Sequence, residues 1–296
     1  MSLVGEPLHE GQRFAGCIVA RRLGRGAGSV VYAAFDDRAD AWRALKLLLP
    51  APGVDPVLAA EARARLLREQ GVAARLQHPG IVRLHACGES SGMAWLTMEL
   101  LPGADLTRYT QAARRLPVPV VARLGARLAD ALAHAHGAGV VHRDLKPANV
   151  MVDWACDRVV ITDFGLARSA DSEGTRTGLV LGSPGYMAPE LLAGAPPHAG
   201  SDLYALGVLL FELLAARLPF EAEGLGALLR QVAGTPAPDL RRCVPQPHDA
   251  ALASLAALVA ALLAKSPAQR PADAAGAAAA LHALADAAQP GPKSRG

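Results

Sequence analysis

The chain has 296 residues, 51% hydrophobic and 19% charged, enough to bury the core of one large domain or of two lobes sharing a cleft. Its 30 basic and 27 acidic residues leave a formal net charge of +3, and the basic ones are scattered, which argues for a solvated surface and against a nucleic-acid footprint. Alanine dominates the apolar fraction, no segment reaches about 18 uninterrupted apolar residues, and the opening MSLVGEPLHEGQRF lacks a basic region followed by an apolar run. Neither a membrane span nor a secretory signal is expected, and the chain reads as cytoplasmic. Cys17, Cys87, Cys156 and Cys243 stand far apart without a CxxC pair, a pattern of reduced thiols and not of disulfides or zinc ligands.

Short β-type runs fill the first hundred residues: FAGCIVARRL, SVVYAAF, RALKLLL and AWLTMEL. One helical stretch, AAEARARLLREQGVAARL, interrupts them. Beyond Pro102 the period changes, and VPVVARLGARLADALAHAHGAG, LYALGVLLFELLAA and LASLAALVAALLA carry apolar residues at helical spacing between Gly and Pro punctuation. A small sheet-rich part thus precedes a larger helical one, with ELLPGADL as the hinge, and QPGPKSRG reads as a frayed tail or the start of a linker.

Four stretches carry chemistry. LGRGAGSVVYAAF places Gly24, Gly26 and Gly28 between strand-like runs; such glycines let amides approach phosphates, and hairpin turns use the same residues. Lys46 interrupts the apolar run ALKLLL and needs a partner if it faces inward, Glu69 or Glu61 on the helix that follows. VVHRDLKPANVMV carries Asp144 and Asn149, and ITDFGLAR adds Asp163 soon after. Phosphoryl transfer asks for a carboxylate near the acceptor hydroxyl and for oxygen ligands to magnesium, and both kinds of residue are here in workable order. His134 and His136 lie two apart on a helix, point to different faces and make a poor metal pair.

HRDLKPAN, DFG and GSPGYMAPE together resemble the Hanks-type (eukaryotic-like) serine/threonine protein kinases of bacteria over roughly residues 14 to 285. The resemblance implies an α+β, bilobal fold: an N-terminal extension (1–13), a β-rich N-lobe (14–101), an α-rich C-lobe (102–288) and a flexible tail (289–296). It implies transfer of the γ-phosphate of ATP to Ser or Thr of protein substrates, with Mg2+ as cofactor and Mn2+ as an allowed substitute. Asp144 would orient the acceptor and take its proton, Lys146 would neutralise the transferring phosphate, and Asn149 and Asp163 would hold the metal. Leu23, Gly24, Gly26, Gly28, Ser29 and Val31 would form the nucleotide loop and its adenine contact, with Ser29 standing where the family has its third glycine. Ala44 and Lys46 match the VAIK strand, and Lys46 would meet the phosphates with Glu69 steadying it. Met98 would be the gatekeeper, with adenine contacts on the backbone of Glu99 and Leu101.

In the same family His142 would brace the loop, Arg143 would receive a phosphate from the activation loop, and Thr175 and Thr177 would be the phosphosites. Ser183 would contact Asp144 and Lys146 and disfavour tyrosine specificity. Asp202 would brace the backbone near His142 and Arg143, and Arg270 would pair with Glu190 beneath the substrate platform. Phosphorylation between molecules implies a transient homodimer; nucleic acid and membrane are not expected partners. Two other readings stay in view. Small-molecule kinases of the aminoglycoside type share the Asp, Asn and metal Asp but lack GxxGYMAPE, and pseudokinase scaffolds lose the lysine or one of the aspartates, none of which is lost here.

Overall fold

The computed structural model describes residues 7–26, 28–49, 55–164, 183–245 and 250–287. They divide into two units, one made of Met1–Gln77 and Val82–Pro102, the other of His78–Ile81 and Gly103–Gly296.

The first unit holds six strands: β1 (Arg13–Phe14), β2 (Cys17–Arg25), β3 (Ser29–Asp36), β4 (Ala41–Leu48), β5 (Leu84–Ser90) and β6 (Met93–Glu99). They pair antiparallel in the order β1-β2-β3-β4-β6-β5. Ser91-Gly92 closes the β5–β6 hairpin with φ of 52° and 72°, the mirror-image turn whose twist matches that of the strands. At the β3–β4 turn Asp36 accepts the amides of Arg38 and Ala39, each at 3.2 Å. Strand periodicity sorts the side chains into two faces. Val30, Tyr32, Ala34, Leu45 and Leu47 join Leu8, Phe14, Cys17 and Val19 in one core. The opposite face takes the register triples Val31–Lys46–Leu96 and Ala33–Ala44–Met98, so Lys46 is carried on the side away from that core. One helix, α1 (Pro56–Ala73), completes the unit and packs near β5.

The second unit is mainly helical: α2 (Val118–Gly137), α3 (Pro189–Leu192), α4 (Ala199–Ala215), α5 (Leu225–Gly234), α6 (Ala250–Leu262) and α7 (Ala274–Ala287). Helix α4 is apolar nearly all round, and it is buried against α2 and α6 while α2 also lies along α7. It begins where His198 accepts the Gly200 amide and ends at Ala216, whose φ of 55° is the left-handed cap that stops a helix. A small antiparallel sheet of β7 (Ala104–Asp105), β8 (Val150–Asp153) and β9 (Arg158–Ile161) sits at the head of the unit. Gly103 leads into it with φ of 94°, and a Cβ there would lie 2.1 Å from the Val152 carbonyl oxygen, so only glycine fits.

The four strand-like runs and the long helical stretches of the sequence fall on β2, β3, β4, β6, α1, α2, α4 and α6. The pattern leaves out β1, β5, β7, β8, α3, α5 and α7. β7 and β8 are two and four residues long and too short to show a period. AAGAAAALHALADA, the sequence of α7, offers mostly alanine, which contrasts weakly with its neighbours. Among the described residues no helix is long and apolar enough to cross a membrane.

Candidate active site

The second unit supplies a tightly tied loop. Asp202, 1% exposed in the first turn of α4, accepts the His142 amide at 2.8 Å on Oδ2 and the Arg143 amide at 2.9 Å on Oδ1. His136, near the end of α2, donates from Nε2 to the same Oδ2 at 2.8 Å. Two helices thereby hold one stretch of backbone. Arg143 pays for its position with φ of 75°, a left-handed conformation that costs a residue with a Cβ on the order of 1–3 kcal/mol.

The side chains are fixed with equal economy. His142, fully buried, donates Nε2–H to the Thr162 carbonyl at 2.8 Å and accepts the Asp144 amide on Nδ1 at 3.2 Å, which defines its tautomer. Its ring also meets Phe164 edge-on, centroids 4.6 Å apart. Asp144 is left partly exposed. Its Oδ2 accepts Lys146 Nζ at 2.6 Å and Asn149 Nδ2 at 3.1 Å, so that Oδ1 has no partner among the described residues. Asn149 Nδ2 also donates to the Asp144 carbonyl at 2.7 Å; with the amide hydrogens engaged there, Oδ1 of Asn149 is the atom available as a ligand.

Asn149 ends a 3-10 turn, Pro147–Asn149, and its carbonyl accepts both the amide (2.8 Å) and the hydroxyl (3.2 Å) of Thr162. Pairing of β8 with β9 through Val150 and Ile161 therefore brings Asn149 and Asp163 to the same end of the hairpin. Asp163 has φ of 64°, a second strained residue beside the first. Two oxygen-bearing side chains at one hairpin end suit magnesium, which keeps several of its ligands as water and phosphate. Among the described residues no group of three or more His, Cys, Asp or Glu stands ready to hold a metal unaided.

Farther along, Ser183 heads a 3-10 turn (Pro184–Tyr186) and its carbonyl accepts the Tyr186 amide at 3.0 Å; among the described residues no hydrogen bond joins its hydroxyl to Asp144 or Lys146. Tyr186 donates its hydroxyl to Glu212 on α4. Glu190 and Arg270 meet in a two-pronged pair, Nη1–Oε1 and Nη2–Oε2 both 2.7 Å, with Ser201 donating to Oε1 at 2.9 Å. Arg270 is buried and gives its remaining hydrogens to the carbonyls of Ala264, Gly200 and Lys265. Burial pushes the Glu190 carboxyl up, but the hydrogen bonds from Arg270, the backbone and Ser201 outweigh it and leave it below the ordinary carboxylate range. Thr175 and Thr177 lie outside the described residues.

The first unit presents the other candidates. Gly24 pairs with Val31 beside a bulge at Leu23, and the Gly26 amide donates to the Ser29 carbonyl at 2.8 Å. None of Gly24, Gly26 and Gly28 has positive φ; a Cβ at Gly24 or Gly28 would meet nothing, and at Gly26 only Ser29. The fold itself does not require glycine there, and the backbone at Gly24 and Gly28 is open to approach. Lys46 is 8% exposed, Met98 is buried, and Glu99 is tied by its amide to the Arg83 carbonyl at 2.9 Å while Leu101 follows the end of β6. Ala44 stands opposite Met98 in the register. On α1, Glu69 is half-buried and Glu61 exposed.

The sequence marks His136 only as a poor metal ligand and does not reveal its bond to Asp202 or the role of Thr162. The signal for His136 was an aspartate in an otherwise apolar helix start, SDLYALGVLLF, because a buried carboxylate demands donors. Nothing local says which donors, since His136 lies 66 positions earlier.

A β-rich unit of this topology followed by a helical one with this loop defines the bilobal α+β fold of the kinases. The protein kinase domain matches residues 18–283, and the chain belongs to that family. It is 38% identical over 270 residues to serine/threonine-protein kinase PknJ of Mycobacterium tuberculosis, covering 89% of this chain and 44% of that protein. It is 44% identical over 170 residues to serine/threonine-protein kinase PkaA of Streptomyces coelicolor, covering 56% and 31%. The crystal structure of the Mycobacterium tuberculosis PknI kinase domain superposes with a TM-score of 0.73 at 34% identity, covering 94% of this chain and 99% of that one. The chain spans half or less of the length of these curated relatives.

Proposed function

We propose that the chain is an ATP-dependent protein serine/threonine kinase. The single observation that carries the reading is the Asp144 arrangement: one carboxylate oxygen held by Lys146 and Asn149, the other left for an acceptor hydroxyl. Asp144 orients that hydroxyl and takes its proton as the oxygen attacks the γ-phosphorus of ATP and the bond to the β-phosphate oxygen breaks. Lys146, beside it, offsets charge on the transferring group. Asn149 and Asp163 are the residues that would hold magnesium, or manganese in its place, and the ion when bound supplies charge neutralisation across the phosphates. Lys46 contacts the α- and β-phosphates, with Glu69 as its partner; the exposure of Glu61 favours Glu69. Open space at Gly24 and Gly28 suits close approach of phosphate to the backbone amides. Leu23, Val31, Ala44 and Met98 line the adenine, and the backbone of Glu99 and Leu101 meets its edge.

Protein substrates present Ser or Thr, and the molecule phosphorylates Thr175 and Thr177 of a second copy, whose Arg143 receives the phosphate. Intact Lys46, Asp144 and Asp163 speak against a scaffold without transfer, and GSPGYMAPE speaks against a small-molecule kinase. Incubating the chain with labelled ATP, magnesium and a basic protein, then mapping phosphosites, tests the reading. Label on serine and threonine is the expected outcome. Label on no residue, at any metal or protein concentration, would overturn it.

A further inference from the structure

His78 belongs to none of the motifs above. It opens the segment His78–Ile81 that links α1 to β5 yet packs within the second unit. Its Nδ1 accepts the Gly80 amide at 3.0 Å, a bond open only to the neutral ring, since both nitrogens of an imidazolium donate. The turn closed in this way feeds β9. The Gly80 carbonyl accepts the Ile161 amide at 2.9 Å, and Ile81 bridges Ile161 in parallel, two residues before Asp163. There is little slack: a Cβ on Gly80 would stand 3.1 Å from the Ala131 Cβ on α2 and 3.2 Å from His78 Nδ1.

The surroundings of His78 resist a second proton. Its ring lies against that of His134, centroids 5.2 Å apart and planes tilted by 31°. Asp130, one turn earlier on α2, is paired with His282 of α7 at 2.7 Å. Burial, first, and then His134 hold the His78 pKa below its ordinary value, while Asp130 works the other way. His134 and Asp130 of α2 act on it, and His282 of α7 is engaged with Asp130.

We propose that His78 is a positioning residue for Asp163: while neutral it closes the turn that pins Ile161, and its protonation releases the strand end that carries the aspartate. The effect on transfer rests on the kinase reading; the effect on the strand does not.

The test is amide hydrogen exchange at Gly80 and Ile161 in the full chain without nucleotide, followed from about pH 8 to about pH 5 and corrected for intrinsic rates, beside the imidazole shifts of His78. Exchange at Ile161 should accelerate about tenfold as His78 takes up its proton, with amides in the middle of α4 unchanged. His78→Asn keeps an oxygen acceptor for the Gly80 amide and has nothing to titrate, so Ile161 should stay protected across the range. His134→Gln removes the like charge and should move the transition to higher pH; Asp130→Asn removes the opposing one and should move it to lower pH. The acid limb of phosphate transfer should shift in the same two directions. An Ile161 transition that persists unchanged in His78→Asn, or that ignores both neighbours, overturns the proposal. A chain without transfer at any pH but with the exchange transition intact contradicts the kinase reading and upholds the role of His78.

Discussion

At the scale of single residues, Asp202 shows how a buried carboxylate can serve a site it never touches. Asp202→Ala strands the amides of His142 and Arg143 and the Nε2 of His136, at about 1–3 kcal/mol for each donor left without a partner. Chemical denaturation should register that loss together with a fall in transfer rate. A variant of wild-type stability and rate would show that the Asp202 bonds do not hold the loop. Lys46 and Glu69 invite a double-mutant cycle, because a proposed pair should act as one. Lys46→Met and Glu69→Ala should each reduce kcat/KM, and the double variant should fall well short of the sum. Full additivity would assign Lys46 a different partner.

At the scale of elements, the Glu190–Arg270 pair ties the segment after Ser183 to the start of α4 and the loop after α6. Breaking it by Arg270→Ala leaves a poorly solvated carboxylate and should cost about 3–5 kcal/mol. Arg270→Lys should recover little, since an ammonium cannot span both oxygens. The pH dependence has a definite sign. Folded Glu190 has a depressed pKa, so its contribution is complete above the unfolded carboxylate value and is lost as the pH falls through the lower folded value. Urea titrations of wild type and Glu190→Gln should therefore converge on acidification; a constant gap would contradict the pair.

Elements also decide what the sequence can reveal. The β3 and β4 strands are legible from short β-type apolar runs, and the buried α4 from an apolar run too long for a strand. Asp144, Lys146, Asn149 and Asp163 are legible because local spacing fixes local geometry. The bonds from His136 to Asp202 and from Gly80 to Ile161 cross 66 and 81 positions, and no local pattern encodes such meetings. Sequence also names Lys46 as a lysine in an apolar run, while only the β3–β4–β6 register shows which face carries it.

At the scale of the whole molecule, the proposed phosphorylation of Thr175 and Thr177 runs between two copies of the chain. Phosphatase-treated chain should show a lag before full activity, shortened at higher enzyme concentration, and Thr175→Ala with Thr177→Ala should abolish the gain. A lag independent of concentration would place the event within one molecule. Phosphate transfer from labelled ATP to a basic protein, with nucleotide binding measured on the same samples, tests in wild type and Asp144→Asn whether the proposed kinase works through Asp144. Wild type should label serine and threonine, and the variant should bind ATP almost unchanged while transfer drops by about 10² to 10⁴. Equal turnover in the two proteins would contradict the account.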